Sequence, residues 1–223
     1  LSVQDSNSET SVSGFGNLAS FAGISLPEVK IDNSTIAIET IKSRFFFKNI
    51  YENKNITAIL LATESYDVRD KKVIFDESIY NFEKKSWVNG MPSFMQAFKQ
   101  YSSNLDVSKD KSSGLLKISM THKSPEFAKE FLSLVIYESD QMLRKKDLNK
   151  ANKLIDYLVS EFSKTSYEVT KVSLSKLIES QMEKKMLANL EEGYIFEVLD
   201  PPFVPEEKSK PARSIICIIG ALS

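Results

Sequence analysis

Between Pro125 and Gly193 the chain contains neither glycine nor proline, the two residues that most readily interrupt a helix. Ser124 can cap such a segment and Pro125 suits the first helical position. Leu134, Leu148, Ile155, Phe162 and Val169 recur at seven or fourteen residues, and Tyr137, Ala151, Leu158 and Val172 follow four of these beats three residues later. That repeat predicts a coiled-coil-like stripe. Its phase then changes to Leu174, Leu177, Ile178, Met182, Met186, Leu187 and Leu190. Unbroken, the helix would run on the order of 100 Å, too long for the core of a domain this small to cover. The stretch "SKTSYEVT" (163–170) is its weakest part, because Ser and Thr compete for backbone hydrogen bonds. The spacing therefore favours a helix over 125–164 running out and a second over 168–191 running back, rather than one rod. In either form the apolar stripe needs other copies to cover it.

The flanking segments are of mixed type. A helix is expected from Asn33 or Ser34, with Ile38, Ile41 and Phe45 at helical spacing. The run 56–62 fits helix or strand equally. "DKKVIFDESIYN" reads as a strand and a turn. "MPSFMQAFKQYSSNL" reads as a short helix with Pro92 near its first turn and Phe94, Met95, Phe98 and Tyr101 inward. "GLLKISMTH" alternates Leu116, Ile118 and Met120 with polar residues, as a half-buried strand does. After Gly193, "YIFEVLD" is expected to be a strand that rejoins the earlier sheet. The fold class is α+β: a small mixed α/β base, 1–124 with 193–212, and a long protruding helical arm, 125–192. Residues 1–33 mix glycines with Phe15, Phe21 and Leu26, and suit either a loop tucked into the core or one near a membrane or a neighbouring subunit.

The chain closes on "LDPPFVPEEKSKPARSIICIIGALS". Pro201, Pro202, Pro205 and Pro211 make a semi-rigid extended spacer. The apolar run after Arg213 reads as the start (213–223) of a membrane helix, approached by basic residues that can reach the headgroups; a short buried strand is the competing reading. Starting at Leu1 without a signal peptide, the chain reads as a piece of something longer.

Chemistry is harder to find. The net charge of −1 argues against a dedicated nucleic-acid binder. One cysteine, Cys217, and one histidine, His122, exclude an intrachain disulfide and most zinc and histidine-based sites. No nucleophile elbow, phosphate-binding loop or metal-spaced cluster occurs, so no catalytic, cofactor or metal residue is assigned. His122 reads as a surface or capping residue, and Trp87 as a core or interface anchor. The stretch "RKKDLNKANK" sets Arg144, Lys145, Lys146, Lys150 and Lys153 against Asp147 alone. It is a solvated face, or a contact for an anionic glycan, a lipid-linked phosphate or an acidic patch of the next subunit. Asp140 can pair with Arg144 one helical turn away.

Together, "SPEFAKEFLSLVIYESDQMLR", "YLVSEFSKTSYEVTKVSLSKLIESQMEKKMLANLEEGYIFEVLDPPFVP" and "KPARSIICIIG" resemble the Wzz-type polysaccharide chain-length determinants, the class 1 polysaccharide co-polymerases. The likeness covers 112–220, and extends more loosely to the small-residue loop 14–24 and the segment 43–51. It departs at 1–30, which is shorter than a first strand and a membrane exit would need. The resemblance implies the periplasmic domain of a protein held in the bacterial inner membrane by two helices. It implies a ring-like homo-oligomer with projecting arms, working beside a separate polymerase and in contact with a growing lipid-linked glycan. The role implied is to set the modal length of O-antigen or a related polymer, with no catalytic residue and no cofactor in this domain. Pro201, Pro202, Pro205, Pro211 and Gly220 match the family's proline-rich segment and second membrane helix. Leu134, Leu148, Ile155, Leu158, Phe162, Val169 and Val172 are the candidate oligomer-packing residues. A co-polymerase linked to a cytoplasmic tyrosine kinase, and a periplasmic adaptor of an export machine, are the rival readings.

Overall fold

The structure, a computed structural model, describes residues 2–3, 33–190 and 193–205. In chain order these form β1 (Ser2–Val3), α1 (Asn33–Lys42), α2 (Arg44–Tyr51), α3 (Lys54–Ala62), β2 (Thr63–Asp67), β3 (Lys72–Phe75), β4 (Tyr80–Asn81), β5 (Ser86–Trp87), α4 (Phe94–Asn104), β6 (Leu105–Lys109), β7 (Leu116–Met120), α5 (Pro125–Lys164), α6 (Glu168–Leu190) and β8 (Phe196–Glu197). The fold is α+β, with long helices beside four two-stranded sheets among the described residues. The chain divides into two compact units. One holds 42–108 and 117–135; the other holds 136–199 with 33–41 and 109–116.

Caps set the helix boundaries in the first unit. Ser43 Oγ accepts the Phe46 N–H at 3.0 Å, starting α2 immediately after α1. Asn53 does the same for α3, accepting from Ile56. The ambiguous run 56–62 is therefore helix. Ser93 and Gln96 form a reciprocal capping box that opens α4, so Pro92 lies before the cap and not in the first turn. Phe47 sits at the centre of the core, stacked on Tyr101 at 4.6 Å with Phe94 and Phe98 each 5.8 Å away. Tyr101 continues to Phe131 at the start of α5. Met95, expected inward, is exposed: Phe94, Ala97 and Tyr101 define the inner face and Met95 falls off it. A smaller cluster joins Ala58, Ala62 and Tyr80 to Phe75 and Trp87, the latter edge-on to Tyr80 at 5.1 Å, which makes Trp87 a core anchor.

β2 pairs antiparallel with β3, and β4 with β5. β6 and β7 pair across the turn at 110–115, and β7 shows the alternating burial its sequence predicts. β8 does not rejoin these strands. It pairs antiparallel with β1, Val3 opposite Phe196 and Ser2 opposite Glu197. The reason is a long-range contact: Phe196 and its neighbours are held by α5 in the second unit.

His122 fastens the start of α5. Its Nδ1 accepts the Ser124 N–H at 3.0 Å, while Nε2–H donates to the Ile59 carbonyl at 3.2 Å. The ring lies 4.6 Å from Phe127. Ser124 then caps the helix by accepting from Phe127 N–H, with Pro125 as the first helical residue, as the sequence indicates. Burial holds the imidazole below its ordinary value, outweighing the carbonyls of Ile59 and Ser124, which favour the charged form. The unfolded chain therefore takes up the proton first. Stability is complete above about pH 6.5 and declines as pH falls from there through the folded value. Thermal melts between pH 7.5 and 5 should show that decline in the wild-type chain, and His122→Gln should flatten it. An unchanged slope in the variant would refute this role for His122.

Candidate functional site

The second unit is dominated by the α5–α6 hairpin. A three-residue turn, 165–167, separates the helices, in agreement with the two-helix reading of 125–191. Beyond the turn the helices run antiparallel. Asp140 meets the backbone of 194–196, and Lys184 lies beside Asp147 and Lys150. Ser139, Asp140, Leu143, Ala151 and Leu158 on the 136–164 part of α5, and Gln181 and Ala188 on α6, are the buried positions.

The root of the hairpin is a polar lock. Asp140 is buried, and its Oδ1 accepts N–H bonds from Tyr194 at 3.0 Å, Ile195 at 2.7 Å and, more weakly, Phe196 at 3.4 Å. Its Oδ2 receives Arg144 at 3.3 Å. The Arg144 guanidinium lies 5.8 Å from the centre of the Tyr194 ring, and the Tyr194 hydroxyl donates to Asp147 at 3.2 Å. A buried carboxylate is tolerable only when charge-assisted bonds replace its hydration, and here backbone donors and a guanidinium do so. Gly193 permits the tight approach. A Cβ there would stand 2.5 Å from the Phe196 carbonyl oxygen, an overlap no ordinary contact relieves.

Along the hairpin, two surfaces differ in chemistry. On one, Val159 and Phe162 of α5 and Ile178, Met182 and Met186 of α6 line an open groove of about 630 Å³, with Glu179 and Glu183 among its walls. On the other lie Lys146, Lys150 and Lys153 of α5. Lys145, Lys146, Lys150 and Lys153 are exposed, whereas Arg144 is drawn inward to Asp140. Lys184 is half-buried near Lys150. Burial and that like charge hold its ammonium below the ordinary value, with Asp147 opposing them.

The candidate packing residues divide between inside and outside. Leu158 is buried, and Leu134, Leu148, Ile155 and Phe162 are half-buried. Val169 and Val172 are exposed, Val169 at 82%. Pro201 and Pro205 are exposed and Pro202 half-buried, in a stretch with neither helix nor strand. Pro211, Gly220, Cys217 and the apolar run 213–223 lie outside the described residues, as does the loop 4–32. Among the described residues no helix is long and apolar enough to cross a membrane, and no three potential metal ligands converge. Sequence reasoning found the Asp140–Arg144 pair but missed the bonds from Asp140 to 194–196. The available signal was an acid in phase with the buried Leu143 and Ala151 positions of a long helix.

No family model matches the chain, and no curated protein aligns with it significantly.

Removing the Asp140 carboxylate should be among the most damaging changes in this unit. Asp140→Ala leaves several buried N–H groups and Arg144 without their acceptor and is expected to cost ~3–5 kcal/mol in urea unfolding. Gly193→Ala should destabilise in the same direction. The double variant should cost less than the two changes taken separately, because both open one lock. Full additivity would show that they act independently.

Proposed function

We propose that this chain is the periplasmic domain of a chain-length regulator. In this reading it sets the modal length of O-antigen or a related surface polysaccharide by assembling with copies of itself beside a separate polymerase. It belongs to the bacterial inner membrane, held by helices flanking the domain, and it acts as a scaffold without a cofactor or chemistry of its own. The growing lipid-linked glycan is the species it holds.

The observation that carries this reading is the uncovered apolar surface of the hairpin. Val159, Val169, Val172, Met182, Met186, Leu187 and Leu190 all face solvent, with Leu190 at 75% exposure. Two helices of 40 and 23 residues present this surface, and these side chains stay exposed among the described residues. Isolated exposed hydrophobes need no explanation, but a run of them along paired helices marks an interaction surface. Symmetric self-association would cover the same patch in every copy. The proline-rich sequence after β8, whose described part has neither helix nor strand, suits a stiff connection towards a membrane. The resemblance in the second half of the sequence supplies the polysaccharide.

Exchanging 125–192 between this protein and a homologue with a different product length tests the reading. The modal length in a polysaccharide gel should follow the hairpin. Unchanged lengths, together with a monomeric mass for the intact protein in nanodiscs, would remove both regulator and scaffold.

A further inference from the structure

The two sides of the hairpin carry opposite charge at matching heights. At about 100° per residue, Lys146, Lys150 and Lys153 fall within roughly 60° of one another on α5, while Val159 and Phe162 lie about 120–180° from them around the helix. The lysines and the groove therefore occupy opposite sides of α5. On α6, Glu179, Met182, Glu183 and Met186 fall on the groove side, whereas Lys184 turns the other way, towards Lys150. Height along the hairpin follows from distance to the 165–167 turn: Asp140 meets Tyr194, and Lys184 lies beside Lys150. By that measure Lys150 stands level with Glu183, and Lys153 with Glu179, through the thickness of the hairpin. All four side chains are exposed.

We infer that the acid-walled apolar groove of one copy receives the lysine side of a second copy's hairpin, with Lys150 and Lys153 set against Glu183 and Glu179. The inference rests on the self-assembly reading above and names its interface. The groove has the shape for long side chains: the Lys stems and the exposed Tyr157, one turn beyond Lys153, offer apolar length with polar ends. Charge complementarity selects the partner, because the surface that fits the groove is present on every copy. The contact is head-to-tail and not two-fold, since groove and lysines are different surfaces. Matched heights let copies sit side by side without axial stagger, the condition for closing around an axis instead of climbing as a filament. An anionic glycan is the competing occupant of the lysine side, and a peptide from another protein that of the groove.

Charge reversal tests the contact on the intact chain, with mass measured by light scattering across a concentration series in low salt. Wild type should associate. Glu179→Lys with Glu183→Lys, and separately Lys150→Glu with Lys153→Glu, should each dissociate at concentrations at least ~10-fold higher than wild type. Mixing the two variants should restore association, because each then meets a complementary face. A variant that had merely misfolded could not be rescued in this way. Variants that keep the wild-type mass, or a mixture that stays dissociated, would overturn the interface while leaving self-assembly standing. A wild type that remains monomeric throughout would overturn the self-assembly reading with it. Loss of binding to a polyanionic glycan on lysine reversal, with mass unchanged, would assign the lysines to glycan and also count against the inference.

Discussion

A single buried carboxylate determines how the α5–α6 hairpin closes. Asp140 holds the N–H groups of 194–196 and anchors Arg144, so the chain leaving α6 is tied back to the helix that led outward. Because Asp140 meets Tyr194 across the hairpin, it fixes which residue of one helix stands beside which residue of the other. Packing alone specifies that register poorly: Ala151 and Ala188 are small, and much apolar surface faces out. Charge-assisted bonds to backbone donors tolerate far less sliding than interleaved methyl groups, since a shift of one turn would leave a buried charge unsolvated.

Register matters because the hairpin's surface chemistry is arranged along it. Glutamates beside the groove and lysines on the opposite side face outward at equal distances from the turn, and only a fixed register keeps them level. The remaining apolar residues, Val169 and Val172 near the turn and Leu187 and Leu190 near the root, extend that surface over most of the hairpin's length. A lock at the root and a partner surface along the shaft thus belong to one device. The first unit has a different basis. Its stability comes from aromatic rings converging on Phe47 and from caps at Ser43, Asn53, Ser93 and Ser124, with His122 joining the start of α5 to the end of α3.

Much of this was readable from residue order. The absence of Gly and Pro between 125 and 193, with Ser and Thr concentrated near 165, placed both helices and their break, because helix propensity and capping are local properties. The strand at 116–120 was equally plain from its alternation. The failures were non-local. Met95 has the hydrophobicity of a core residue, and only the arrangement of Phe47, Phe94 and Tyr101 shows that the inner face excludes it. β8 pairs with β1 because Asp140, more than fifty residues earlier, positions Phe196. Arg144 read as part of a basic run, yet the chain folds it inward, separating it from the lysines beside it. Periodicity reports which side of a helix is buried; it does not report what a charge on that side will meet.

Cysteine cross-linking between copies addresses the association of hairpins most directly. In a background where Cys217, the sole native cysteine, is replaced by serine, Lys150→Cys and Glu183→Cys would be carried on separate chains and mixed under mild oxidation. The account predicts a disulfide-linked pair that forms only on mixing, and forms faster than for a control pair of exposed sites elsewhere on the hairpin. Cross-linking no faster than the control, at concentrations where the chain associates, would contradict it.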